Sequence, residues 1–221
     1  MRNFTKLITF FIILFFAFDG FSQFINYKSA RTNNLFSEPT NWSSGSVPTA
    51  NDKIKLLSNR DTLIIDGVYE IRQLVVTKIG AVVVGDGGDN DTLKINGNNG
   101  VTQIIQINND GSRLDMNVPL VISTLPTTTT KQFVIRGPNA RMFLNAPLIN
   151  DNAHIVFGNN ENKNNTKFYI DAPIYSTKWV LIGSNTNVWF EDDSDLSSHF
   201  NALRFMQQGQ AGPAKIYVNS A

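Results

Sequence analysis

A five-residue pattern recurs six times along this chain in an unchanged phase. Its copies begin at residues 92, 113, 141, 167, 187 and 215, so successive starts lie 20 to 28 residues apart, about the length of one turn of a parallel β-solenoid. The second and fourth residues of every copy are apolar, and the first residue is polar. Because side chains alternate between the two faces of a strand, a slip of one residue would turn every apolar side chain outward.

The fifth residue of the pattern is always an amide or an acid. These residues are Asn96, Asn117, Asn145, Asp171, Glu191 and Asn219. Like residues stack on one another in a parallel β-helix, so a recurrent Asn at a strand end predicts a ladder of hydrogen-bonded amides. An antiparallel β-sandwich, the alternative fold, also has short strands and polar turns but does not require this recurrence.

Further apolar runs complete the predicted coil. The runs "QIIQI", "QFVI", "HIVF" and "WVLI" precede successive copies, and "VPLVI", "APLIN" and "APIYS" follow three of them. Near-continuous apolar runs are typical of strands in a parallel sheet. We therefore predict an all-β protein, a single-stranded parallel β-helix whose coils occupy residues 53–221.

The composition restricts the chemistry. The chain has no cysteine, two histidines far apart in sequence, and a net charge of +1. The absence of cysteine excludes disulfides, and the other two features disfavour a zinc site and a nucleic-acid partner. The stretch "GDGGDNDTL" at residues 85–93 is similar to a calcium-binding turn, but the spacing of its Gly and Asp residues differs from that pattern. We accordingly predict no metal and no cofactor.

The N-terminus predicts export. A short basic start is followed by an apolar run from Leu7 to Phe18 and by the small residues Gly20 and Ser22. This order is that of a secretory signal peptide, which we assign to residues 1–22 with cleavage before Gln23. The apolar run is shorter than the roughly 20 residues that span a bilayer. We therefore expect no membrane span after cleavage and a secreted or cell-surface location.

Residues 23–52 are predicted to form an N-terminal cap. They contain the sequence "NWSSGSVPTAND", which resembles the start of secreted and cell-surface β-helix proteins of Gram-negative bacteria, including autotransporter-like and adhesin-like proteins. The resemblance implies a β-helix architecture and carries no catalytic motif. Trp42, Leu35 and Phe36 are suited to plug the exposed end of the first coil. The alternative is that Trp42 stacks on a sugar.

The third position of the pattern provides the candidate ligand-binding residues. It faces outward, and in the last four copies it is aromatic: Phe143, Tyr169, Trp189 and Tyr217. Aromatic side chains on a solvent-facing strand could stack on sugar rings. Two structural explanations remain open, namely that another segment covers these rings or that they simply stabilise the sheet. Neither the acidic run "FEDDSD" nor the basic residues Arg113, Arg141 and Lys167 form a recognisable catalytic set, so we predict no catalytic residue.

Together these features predict a secreted structural or adhesive β-helix module at the cell surface, non-catalytic by itself, with a polysaccharide or surface glycan as its partner. The alternative is the N-terminal part of a β-helix polysaccharide lyase or glycoside hydrolase. The last copy of the pattern, at 215–219, lies almost at the last residue, 221. We therefore expect further coils C-terminal to it in a longer protein.

Overall fold

The strands of this protein stack in parallel into a β-helix. A computed structural model describes residues 24–28, 33–59, 61–77, 80–98, 100–123, 130–150, 152–158, 166–191, 200–205 and 214–218, and residues 200–205 by their backbone alone. Every ladder between strands in these ranges is parallel. The parallel β-helix prediction is confirmed, and parallel pairing throughout excludes the antiparallel sandwich. The predicted signal peptide, residues 1–22, lies outside the described residues.

The strands form three faces that run along the axis of the β-helix. The first face contains β1 (Phe24–Tyr27), β2 (Lys53–Leu56), β5 (Gln73–Val76), β8 (Gln103–Ile107), β11 (Thr130–Ile135), β14 (His154–Phe157) and β18 (Phe200–Phe205). The second face contains β3 (Thr62–Ile65), β6 (Ala81–Gly85), β9 (Arg113–Asn117), β12 (Arg141–Leu144), β15 (Lys167–Ile170), β17 (Asn187–Phe190) and β19 (Lys215–Val218).

The third face contains β4 (Val68–Ile71), β7 (Thr92–Ile95), β10 (Leu120–Ile122) and β13 (Leu148–Asn150). A long strand, β16 (Ile174–Ile182), pairs with β13 through its first residues and with β14 through its last. The first and third faces therefore merge into one 12-stranded sheet, whereas the second face is a separate 7-stranded sheet. Among the described residues the one helix is a 3-10 turn at Pro39–Asn41.

Five of the six predicted copies stack on the second face in the predicted register. Arg113, Arg141, Lys167, Asn187 and Lys215 are successive backbone partners. The placement of the first copy is wrong. Its strand, β7, lies on the third face beside β10, and β6 occupies the corresponding place on the second face, pairing Ala81 with Leu114. The error arises because strands of every face share the same inward and outward alternation.

The inward side chains form one continuous apolar core. Leu114, Met142, Phe168 and Val188 of the second face are each at most 1% exposed. The core also contains aromatic pairs: Phe133 stacks on Phe157, with ring centroids 5.1 Å apart, and Phe157 meets Phe168 edge-on at 5.3 Å. Burial of each such side chain stabilises the fold by about 1.5–3 kcal/mol.

A buried cation interrupts this apolar interior. Lys131 points inward from β11 and is 5% exposed. Its Nζ donates hydrogen bonds to the carbonyl oxygens of Gly97 (2.7 Å) and Val101 (2.9 Å), which belong to the turn of the preceding coil. Burial lowers the pKa of Lys131, and the two carbonyls supply partners that a buried ammonium requires.

The N-terminal segment covers the first coil with aromatic side chains. Trp42 is 0% exposed, and its indole N–H donates to the carbonyl of Phe36 at 2.9 Å. The ring of Trp42 packs against Phe36 (4.9 Å) and Tyr27 (5.4 Å). Tyr27, a member of this plug that the sequence did not reveal, donates its hydroxyl to the carbonyl of Thr62 at 2.8 Å. Leu35 is half-buried and forms a bridge to Ile64, which extends the second face by one short pairing.

The "NWSSGSVPTAND" stretch is held in its conformation by local hydrogen bonds. Asn41 donates its amide to the carbonyl of Leu35 (3.0 Å), and Ser43 accepts from the backbone of Asn26 (2.8 Å). Asp52 accepts from both the backbone and the hydroxyl of Thr49, at 2.7 and 2.8 Å. Gly45 has a φ of 73°, which favours glycine. These residues therefore act as structural elements of the cap.

Candidate functional site

Four aromatic rings form a continuous stack on the outer side of the second face, here called the aromatic ridge. The ridge consists of Phe143, Tyr169, Trp189 and Tyr217, which are consecutive register partners. Their ring centroids are 4.6, 5.1 and 4.4 Å apart, with interplanar angles of 5°, 21° and 6°. The coil spacing of about 4.8 Å is what allows face-to-face contact between successive rings.

The flat faces of the ridge rings pack against one another. Tyr169 lies between Phe143 and Trp189, and Trp189 lies between Tyr169 and Tyr217. A sugar ring could not lie flat on either of these two without separating the stack. The four residues remain the candidate ligand-binding residues, and the contact they offer is through ring edges and polar tips.

The polar tips of the ridge have no hydrogen-bond partner in the described part of the chain. This holds for the hydroxyls of Tyr169 and Tyr217 and for the indole N–H of Trp189. Tyr217 is 38% exposed, and the other two are half-buried. The ridge thus presents a rigid apolar rib whose outer edge carries unused donors and acceptors, a combination common in residues at binding surfaces.

A guanidinium covers the N-terminal end of the ridge. The Cζ atom of Arg113 lies 4.2 Å from the ring centroid of Phe143. Its Nε donates to both carboxylate oxygens of Asp115 at 2.9 Å, and Asp115 is the register partner of Phe143. At this end of the stack, the ion pair with Asp115 therefore holds a cation over the ring of Phe143. The sequence placed Arg113 and Asp115 side by side on the outer face but gave no sign of this contact.

Two polar rows border the ridge. The basic row contains Arg113, Arg141, Lys167 and Lys215, with Asn187 between the last two. The acid–amide row, at the fifth position, contains Asn117, Asn145, Asp171 and Glu191. The amide of Asn145 donates to Asn117 Oδ1 at 2.6 Å, which confirms one rung of the predicted ladder. Lys167 leans across the ridge, with Nζ 5.0 Å from the ring centroid of Trp189.

Two other sequence candidates have structural roles. Trp42 is fully buried in the cap, so the alternative in which it stacks on a sugar is wrong. In the "GDGG" turn, Asp91 Oδ2 accepts from the backbone N–H groups of Gly87 (3.2 Å) and Gly88 (3.1 Å), and Asp86 accepts from Gly88 (2.8 Å). These carboxylates therefore stabilise the turn that leads from the second face to the third.

A second exposed aromatic patch was not recognised from the sequence. Tyr175 and Trp179 of β16 are 40% and 38% exposed. His154 stacks on Trp179 with centroids 4.7 Å apart, and His154 Nδ1 accepts from the Trp179 backbone at 3.2 Å. His154 and Trp179 are too far apart in sequence for any local pattern to unite them. Register across two coils is the signal that would have found them.

The remaining predictions concern residues outside the described ranges, metal binding and membrane spans. Asp192, Asp193 and Asp195 of the acidic run, and Asn219 of the last repeat, lie outside the described ranges. Within those ranges, no three acidic, histidine or cysteine side chains gather into a group that could hold a metal ion. The same ranges contain no helix of sufficient length and apolarity to cross a bilayer.

Comparisons with known proteins provide no assignment. No protein-family model, curated protein or solved structure matches this chain.

Proposed function

We propose that this chain is a secreted, non-catalytic β-helix module that serves a structural or adhesive role at the cell surface and contacts glycans through the aromatic ridge. The observation that supports glycan contact is the row of unused polar tips on Tyr169, Trp189 and Tyr217. The rings are fixed by stacking before any ligand arrives, so little conformational entropy would be lost on binding. A hydroxyl-rich polymer could exchange hydrogen bonds with these tips while its C–H groups pack on the ring edges.

Retention of the purified protein in polysaccharide affinity gels tests this proposal. Replacing Trp189 and Tyr169 with Ala should abolish retention. The Phe24→Ala variant is a matched control, because Phe24 is an exposed aromatic residue on the first face at 38% exposure. Equal retention of the ridge variant and the control would show that the ridge serves only the stability of the sheet.

A more conservative set of substitutions separates an effect on glycan binding from an effect on stability. Tyr169→Phe, Trp189→Phe and Tyr217→Phe, combined, keep the stacked rings and remove the polar tips. If the tips bind glycan, this variant loses retention while its urea midpoint stays near that of the parent.

The proposed export is tested by expression in a Gram-negative host and N-terminal sequencing of the exported protein, which should begin at Gln23.

A further inference from the structure

The outer side of the second face carries unpaired positive charge along one edge only. Between described residues the sole ion pair is Arg113–Asp115. Arg141, Lys167 and Lys215 therefore have no carboxylate partner there. Arg141 and Lys215 are exposed, and Lys167 is half-buried beside Trp189. These three cations lie on four consecutive coils of one register line, with Asn187 as the uncharged member.

The acids on the opposite edge do not cancel this charge. Asp171 and Glu191 belong to the fifth position, four residues along the strand from the basic row, which is about 13 Å at the usual rise. The screening length at physiological salt is about 8 Å. A ligand on the basic edge would consequently meet the field of the cations with little contribution from the acids.

We propose that the basic row, together with the adjacent ridge, binds an extended anionic polysaccharide that runs parallel to the axis of the β-helix. This inference rests on the proposed glycan contact and specifies the class and direction of the ligand. Successive members of the row are one coil apart, about 4.8 Å, so Arg141 and Lys167 are adjacent and Lys215 lies two coils beyond Lys167. The coil spacing is comparable to the advance per sugar in an extended glycan. Carboxylates along the polymer could therefore meet Arg141, Lys167 and Lys215, while Asn187 donates a hydrogen bond to the sugar that lies between Lys167 and Lys215.

The ligand for the test is a linear polyuronate, with its fully methyl-esterified form as a neutral polymer of the same backbone. The protein should bind the acid form about tenfold more tightly than the ester, because three surface ion pairs together contribute between a few-fold and about a hundredfold in affinity. The preference should fall as salt rises. With oligouronates of defined length, affinity should rise steeply up to about four residues, one for each coil from Arg141 to Lys215, and little beyond.

A charge-matched pair of variants locates the site. Arg141→Gln, Lys167→Gln and Lys215→Gln, combined, should remove the preference for the acid form. The control carries Lys53→Gln, Lys55→Gln and Lys94→Gln, which remove the same charge from the first and third faces, and it should retain the preference. Equal loss in both variants would overturn the inference, since binding would then follow net charge alone.

The outcomes also separate this inference from the proposed function. One outcome is that the wild-type protein retains the ester form, that the ridge variant does not, and that the acid form binds no more tightly than the ester. In that case the inference fails and the glycan-contact proposal stands. If neither form binds, both fail. If the acid form binds and neither set of charge changes affects it, the basic row is not the site.

Discussion

Substitution of Trp42 tests how much the N-terminal cap stabilises this β-helix. Trp42→Phe keeps an aromatic ring beside Phe36 and Tyr27 but removes the indole N–H that reaches the Phe36 carbonyl at 2.9 Å. A buried carbonyl left without its donor costs about 1–3 kcal/mol. The smaller ring leaves additional space in a site that is fully buried, which we expect to add about 1 kcal/mol. The total loss in the free energy of unfolding is therefore about 2–4 kcal/mol.

Trp189→Phe is the matched control, because it makes the same change in the ridge. A phenyl ring there can still stack between Tyr169 and Tyr217, and the indole N–H it removes has no partner within the described residues. The loss should stay below about 1 kcal/mol. Urea denaturation followed by circular dichroism should show a midpoint at least about 1 M lower for Trp42→Phe, with the slope unchanged. Coincident midpoints for the two variants would refute the reasoning.

Three other predictions follow from the described contacts. Burial and the charge of Asp61 raise the pKa of Tyr27 from 10.0 to about 12. Because the folded state holds this proton more tightly, the stabilisation is complete below pH 10 and is lost as the pH rises towards 12. Over that range the free energy of unfolding should fall with a slope approaching about 1.4 kcal/mol per pH unit. Alkaline unfolding curves should show this slope and lose it in Tyr27→Phe; an unchanged slope would exclude Tyr27 as its source. Gly97→Ala places a Cβ 2.7 Å from Ile104, Lys131 and the Val101 carbonyl at a φ of 58°, whereas Gly100→Ala, with a φ of 77°, meets nothing within 4 Å. Thermal melts should therefore show a loss of about 3 kcal/mol or more for Gly97→Ala and about 1 kcal/mol for Gly100→Ala, and equal losses would contradict the packing described around Lys131. Asn145→Asp replaces a ladder amide by a second acid one coil from Asp171, so it should destabilise the protein by about 1 kcal/mol at low salt and less at high salt, whereas Asn145→Ser should show no such dependence on salt.

The alternation of side chains was enough to predict the fold and most of the register. Leu114, Met142 and Phe168 are buried because the phase of the repeat requires it. The same alternation could not place β7, since a strand with that pattern fits the second face and the third equally well. The turn before it carries the chain from the second face to the third and is held by the contacts of Asp91 with Gly87 and Gly88, which the strand pattern does not encode.

The candidate site was predictable in position and not in geometry. The register gave a column of Phe143, Tyr169, Trp189 and Tyr217, but the orientation of the rings depends on rotamers that local sequence does not determine. The partners of Lys131 come from a turn about 30 residues earlier in the chain. Tyr27 was missed because its strand precedes the repeat and carries no copy of it.

The antiparallel bridge between Tyr27 and Trp42 has a consequence for assembly. A parallel coil is a template that offers the next strand evenly spaced hydrogen bonds, so an uncovered first coil would invite the chain of another molecule to join it. At β1 the backbone of Asn26 and Lys28 is already engaged by the reversed segment at residues 41–43. That segment occupies the pairing edge of β1, so another molecule cannot lengthen the first face by adding a parallel strand there.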